Sequence, residues 1–152
     1  MAPQSLTDLA MSERVEAIVQ EFLDLDDQVA RYRHLVAMGE AMPRIPTRER
    51  REEDYIPGCV YDIWIQAEHD PDRGVLHFRA DSDAKITRGL AALILRVLDG
   101  QPPRAVAEAD LAFLDRIGLR SHLSAQRSNG LAAMIEQIRG RAREHLNLEH
   151  NE

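Results

Sequence analysis

Cys59 is the chain's one cysteine, and its position carries the most chemical information in the sequence. A lone thiol excludes an internal disulfide framework and a multi-cysteine metal site. Two readings are left: a small buried hydrophobe, or a reactive group. Pro57-Gly58 stands directly before it and is a turn signal. Strand-forming residues follow, so the thiol sits where a turn enters a strand, a setting that hosts reactive groups more often than it buries them. Reactivity also requires thiolate, which a positive neighbour favours. The neighbours in sequence are apolar or acidic (Asp54 and Asp62) and oppose ionisation. Help must therefore come from elsewhere in the fold or from a partner.

No other residue type offers comparable chemistry. The six histidines, His34, His69, His77, His122, His145 and His150, show no paired metal-ligand spacing. Gly58, Gly74, Gly89 and Gly100 stand alone, so no glycine-rich phosphate loop is present. The reading is that the chain holds neither a metal nor a cofactor. A Cys-His nucleophile using His77 or His122, as in a hydrolase or peroxidase, has no local signature behind it. With 26 acidic against 19 basic residues the net charge is −7, which repels phosphate backbones and argues against nucleic acid as a partner. No apolar run reaches the roughly 20 residues that span a bilayer. Met1 to Met11 shows neither a basic nor an apolar signal region, so the expected location is cytoplasmic.

The elements that must position Cys59 can be read from periodicity. Val15, Ile18, Val19, Phe22 and Leu23 recur at helical spacing behind a candidate N-cap at Ser12. A second helix carries Val29, Tyr32, Leu35, Val36 and Met38, with Gly39 and Pro43 ending it. Residues 43–54 hold two prolines and a dense charge run, the composition of an exposed connector. Val60 to Ala67 is strand chemistry, with Tyr61, Ile63, Ile65 and Ala67 on one face and Val60, Asp62, Trp64 and Gln66 on the other. Asp70-Pro71-Asp72-Arg73-Gly74 is a turn, and Val75 to Ala80 returns as the second arm of a hairpin. Tyr55-Ile56 offers a short third strand.

From Asp81 the period becomes helical. Asp81 or Ser82 is a candidate cap for a helix whose buried face is Ile86, Leu90, Leu93, Ile94, Val97 and Leu98, with Gly100 just beyond its end. Arg79, Arg88 and Lys85 read as solvent-facing or partner-facing. Pro102-Pro103 opens a short helix, Asp110 caps another, and Ser124 caps the last, which buries Leu131, Met134, Ile135 and Ile138. The tail from Arg141 is polar with no clear core face. The class is α+β, a small three-stranded antiparallel sheet flanked by helices.

Three blocks together resemble one family. They are Ile56-Pro57-Gly58-Cys59 with Ile63-Trp64-Ile65, then Leu76 to Ala84 running into Ile86 and Arg88-Gly89-Leu90, then His122-Leu123-Ser124 with Arg127-Ser128-Asn129-Gly130-Leu131 and Met134-Ile135. Their order and spacing resemble the SufE family. The resemblance implies a single SufE-like domain over 12–142, with 1–11 and 143–152 as flexible termini, and a SufE/IscU-like fold. It implies that Cys59 accepts sulfur as a persulfide from a cysteine desulfurase, SufS-like or a paralogue, stimulates that enzyme, and delivers the sulfur to an iron–sulfur scaffold complex. Such a chain is a carrier and activator, a sulfurtransferase-like partner rather than a stand-alone enzyme, and a monomer or weak homodimer. The alternative is an allosteric desulfurase-binding regulator without sulfur transfer. The family pattern also places an arginine of the third block near the cysteine loop, which makes Arg127 the candidate stabiliser of thiolate or persulfide. Many members carry Gln-Ser-Gln after the cysteine; Val60-Tyr61-Asp62 stands there in this chain, a departure that bears on the choice of desulfurase.

Overall fold

The computed structural model describes residues 6–150; residues 1–5 and 151–152, which belong to the expected flexible termini, lie outside the described residues. Two helices, α1 (Leu6–Leu23) and α2 (Gln28–Ala41), lead into a strap with two short 3₁₀ turns (Thr47–Glu49 and Glu52–Asp54). A hairpin of β1 (Ile63–Asp70) and β2 (Val75–Ser82) follows, then α3 (Lys85–Leu98), α4 (Pro103–Glu108), α5 (Phe113–Arg116), a 3₁₀ turn at Arg120–His122 and α6 (Ala125–His150). The α+β class holds, but among the described residues the sheet has two strands, not three. The expected third strand reduces to one antiparallel bridge, Tyr55 with Trp64. Residues 52–54 before it are 3₁₀ and Pro57-Gly58 after it turns away, so no length of extended chain is left to propagate a ladder. The opposite edge is met the same way, by a bridge between Leu76 and Gln101.

The hairpin register pairs Ile63 with Ser82, Ile65 with Ala80, Ala67 with Phe78 and His69 with Leu76 on one face. Ile63, Ile65, Ala80, Phe78 and Leu76 are buried in the main core with Ile18, Val19, Phe22, Leu35 and the inner sides of α3 and α6. In the turn, the Asp70 carboxylate accepts from the Asp72 and Arg73 amides at 3.1 and 3.3 Å, and Gly74 takes φ +66°. The other face pairs Trp64 with Asp81 and Gln66 with Arg79. The charged segment 43–54 lies across it. Gln66 donates to the Glu49 carbonyl at 2.6 Å, Arg79 pairs with the Glu49 carboxylate at 3.3 Å, and Ile45, Asp54 and, just beyond, Ile56 are buried. The segment is therefore no solvated linker. Glu49, Arg50 and Arg44 meet charged partners in β2, Asp54 is paired with Arg51 and Arg141, and the remaining charges of the segment face solvent.

Asp81 is the centre of this arrangement and does not cap α3. It is 1% exposed. Its carboxylate accepts from Arg88 at 2.8 Å, Arg50 at 3.2 Å, Arg44 at 3.5 Å and the amides of Ile45 at 3.0 Å and Ser82 at 2.8 Å. Arg88, read from sequence as surface, is 5% exposed and also donates to the carbonyls of Gly39 and Met42 at the end of α2. Ala84 occupies the N-cap position of α3 without a side-chain bond, while Ser82 Oγ accepts from the Ala84 amide at 3.2 Å.

The terminal helices also differ from expectation. α1 starts at Leu6, so Ser12 lies inside it; no Gly or Pro between Leu6 and Ser12 interrupts the helix. Arg14 on α1 donates to the carbonyls of Val97 at 3.0 Å and Asp99 at 2.8 Å, satisfying the C-terminal end of α3. α6 continues through Arg141 because that residue reaches the strap, bonding the Glu53 carbonyl at 2.6 Å and lying 3.6 Å from the Asp54 carboxylate. Ala142 is buried and His145 stacks on His69 at 4.8 Å, so the polar tail does have a packed side.

Gly39 does not end α2 either. Its role is close approach: a Cβ there would lie 2.7 Å from the Gly89 amide nitrogen, and one on Gly89 would lie 2.4 Å from the Leu35 carbonyl oxygen. Two glycines thus let α2 and α3 touch along their backbones. Gly89→Ala forces the helices apart and is expected to cost about 2 kcal/mol, measured as a lowered urea midpoint with an unchanged slope.

Candidate functional site

The loop that carries Cys59 is closed at its base by the sheet. Ile56 donates its amide to the Ile63 carbonyl at 2.9 Å, next to the Tyr55–Trp64 bridge, and residues 57–62 span the gap. Gly58 adopts φ +82°, with nothing within 4 Å of a would-be Cβ. Only the backbone requirement selects glycine there. The turn read from Pro57-Gly58 is present, and Cys59 follows it directly.

A second set of bonds pins the far side of the loop. The Tyr55 hydroxyl donates to the Asp62 carboxylate at 2.8 Å. The Asp62 amide donates to the Asp83 carboxylate at 3.1 Å, and the Asp83 amide donates back to the Asp62 carbonyl at 3.4 Å. Tyr55 and Asp83 thus clasp the loop at Asp62. The Tyr55 hydroxyl is held above its usual value near 10, first by the bond to Asp62, then by desolvation, then by the negative charge at Asp62, Cys59 and Asp83. It therefore stays a neutral donor through the physiological range, and the clasp stays made.

Cys59 itself is half-buried and packs on the edge of the main core. Ile56 is buried beneath the loop and Tyr55 is half-buried. Val60, the residue after the thiol, is 67% exposed and turned to solvent. Arg127 lies in the first turn of α6, where its amide donates to Ser124 Oγ at 3.2 Å, the cap expected for this helix. Its side chain is half-buried, and no hydrogen bond or ion pair engages the guanidinium among the described residues. A Cβ on Gly130, one turn further on, would lie 3.5 Å from Ile63 Cδ1. The first turns of α6 therefore press on the start of β1, where the Cys59 loop rejoins the sheet. No hydrogen bond joins Arg127 to Cys59.

Sequence reasoning placed the thiol and missed its clasp. From sequence, Asp83 carries no assigned role in the loop and Tyr55 reads only as part of a short strand. The carboxylate spacing carries no signal for the bond that Asp83 makes to a residue 21 positions earlier. Among the described residues no group of three or more His, Cys, Asp or Glu side chains is arranged to hold a metal ion, and no helix is long and apolar enough to cross a membrane.

Residues 16–142 match the family described as SufE, Fe-S metabolism associated domain. A SufE-like protein of Rhizobium etli is 36% identical over 132 residues, covering 85% of this chain and 89% of its own length. The sulfur acceptor protein CsdE of Escherichia coli is 34% identical over 124 residues, covering 81% of this chain and 84% of its own. The solution structure of a hypothetical protein from Thermus thermophilus matches the fold with a TM-score of 0.72 at 20% identity, over 88% of this chain and 96% of that one.

Proposed function

Because the chain belongs to the SufE family, we propose that Cys59 accepts sulfur as a persulfide from a cysteine desulfurase and carries it toward iron–sulfur cluster assembly. The observation that supports this reading is the setting of the chain's one thiol: half-buried, at the tip of a loop tied down at both ends. The likeness to a protein named as a sulfur acceptor supports it further.

The chemistry is a thiolate attack akin to thiol–disulfide exchange. The Cys59 thiolate attacks the outer sulfur of the donor's persulfide. The donor S–S bond breaks, its cysteine leaves as thiolate, and a new S–S bond forms on Cys59. One sulfur moves and no net oxidation occurs. A second cysteine nearby would attack the new persulfide and release sulfide, so a solitary thiol preserves the cargo. Ile56 beneath and Tyr55 beside it limit the approach of small reductants. Arg127, with its guanidinium free among the described residues, is assigned the task of stabilising the thiolate or the persulfide anion once the loop moves toward it. The desulfurase performs the pyridoxal-phosphate chemistry of cleavage, and this chain stimulates it by removing product, in the cytoplasm, before passing the sulfur to a scaffold complex.

The test is to mix the protein with a cysteine desulfurase and cysteine at low reductant and measure intact mass. A gain of about 32 Da, one sulfur atom, that dithiothreitol removes is the expected result. An unchanged mass under conditions where the desulfurase itself turns over would overturn the reading.

A further inference from the structure

The bonds that shut the Cys59 loop do not end at Tyr55. The Tyr55 ring lies against Trp64 with centroids 5.5 Å apart at 53°. Arg50 also lies against Trp64, its guanidinium carbon 4.3 Å from the indole centroid. Arg50 is itself held on two sides, by the buried Asp81 carboxylate at 3.2 Å and by the Ile45 carbonyl at 3.1 Å. A continuous series of contacts therefore runs from the buried carboxylate through Arg50, Trp64 and Tyr55 to Asp62 in the loop.

We propose that Arg50 is a positioning residue for Cys59: pinned to Asp81, it fixes the Trp64 ring on which Tyr55 rests, and so keeps the loop 57–62 shut over the thiol. Three features support this. The guanidinium is planar and doubly anchored, so it presents one face to the indole rather than sampling many. Trp64 is fixed at its backbone by the bridge to Tyr55, so a tilt of its side chain is passed to the Tyr55 ring. Asp62, at the end of the series, is exposed and has no apolar packing to hold the loop without the clasp. The strap that carries Arg50 is thereby more than a cover for the sheet. It sets how open the acceptor thiol is before any partner arrives. The proposal rests on the reading of Cys59 as the reactive group, but its test needs no desulfurase.

The experiment is the rate of Cys59 alkylation by iodoacetamide in the free, full-length protein. Arg50→Met keeps the stem and removes the cation; Tyr55→Phe keeps the ring and removes the bond to Asp62. Each is expected to raise the rate about fivefold, the scale that one such contact supports. The double variant is expected to match the faster single variant, since both act on one series of contacts. Arg44→Met removes another arginine from the same Asp81 carboxylate without touching Trp64, and should stay within about twofold of wild type. Wild-type alkylation in Arg50→Met, fold-changes that multiply in the double variant, or an equal rise in Arg44→Met would each overturn the proposal. If Arg50→Met does not fold, Arg50→Lys keeps a charge for Asp81 but cannot lie flat on the indole. It is expected to alkylate at least about threefold faster, and a wild-type rate there would overturn the proposal equally. Failure here leaves sulfur uptake untouched, and failure of sulfur uptake leaves the alkylation series readable.

Discussion

Asp81→Ala is expected to destabilise the fold by about 4 kcal/mol, the scale on which one partner of a buried ion pair is lost. The substitution leaves Arg88, 5% exposed, with its charge buried and only the carbonyls of Gly39 and Met42 to face. It also frees the Ile45 amide and removes the anchor of Arg50. A domain of this size has about 5–15 kcal/mol of net stability, so the variant should be largely folded only at low temperature or should fail to accumulate. Urea unfolding followed by circular dichroism gives the number. The double variant Asp81→Leu with Arg88→Met removes both charges at once and is expected to recover more than half of the loss. If Asp81→Ala unfolds within about 1 kcal/mol of wild type, the carboxylate is not the structural centre described above.

The contrast between Asp81 and the hairpin beside it explains what sequence could and could not reveal. The hairpin was legible because its signals are local. Ile63 and Ile65 alternate with Trp64 and Gln66, and Asp70 to Gly74 contains its own turn chemistry. The cap at Ser124 and the inner face of α3 were legible for the same reason. Asp81 resembles any acidic residue ahead of a helix. What buries it are Arg44, Ile45 and Arg50, 31 to 37 residues away. The strap read as solvated because charge runs usually are; most of its charges do face solvent, and the docking of Ile45 and Arg50 depends on Asp81 of the hairpin. Gly39 read as a stop because a helical glycine usually weakens a helix. Its backbone contact with Gly89 is a property of two helices at once. The site divides in the same way. Pro57-Gly58-Cys59 announces a thiol on a turn, while the clasp through Tyr55, Asp62 and Asp83 joins residues that only the hairpin brings together.

Cys59→Ala is expected to take up no sulfur and to give no stimulation of a cysteine desulfurase at low reductant, while Tyr61→Ser keeps at least about half of both activities. The distinction follows from the bond that must form. Acceptance ends in a new S–S bond on the side chain at position 59, and no residue other than cysteine can make it. Tyr61 is only half-buried and lies outside the hydrogen bonds that hold the loop. Turnover of the desulfurase with and without each variant, paired with intact mass, separates two roles that share the same docking. A carrier relieves the enzyme by removing its persulfide, so stimulation and mass gain vanish together in Cys59→Ala. A regulator acts through its surface, and Cys59→Ala, which preserves the loop's backbone and its clasp, would then stimulate like wild type without any mass gain. Full stimulation by Cys59→Ala would therefore remove sulfur transfer from the account and leave a binding role. Arg127→Ala, which spares the thiol, completes the logic. It is expected to slow uptake about tenfold and still reach the full mass gain, because a stabilising charge changes the rate of thiolate attack and not the bond that results.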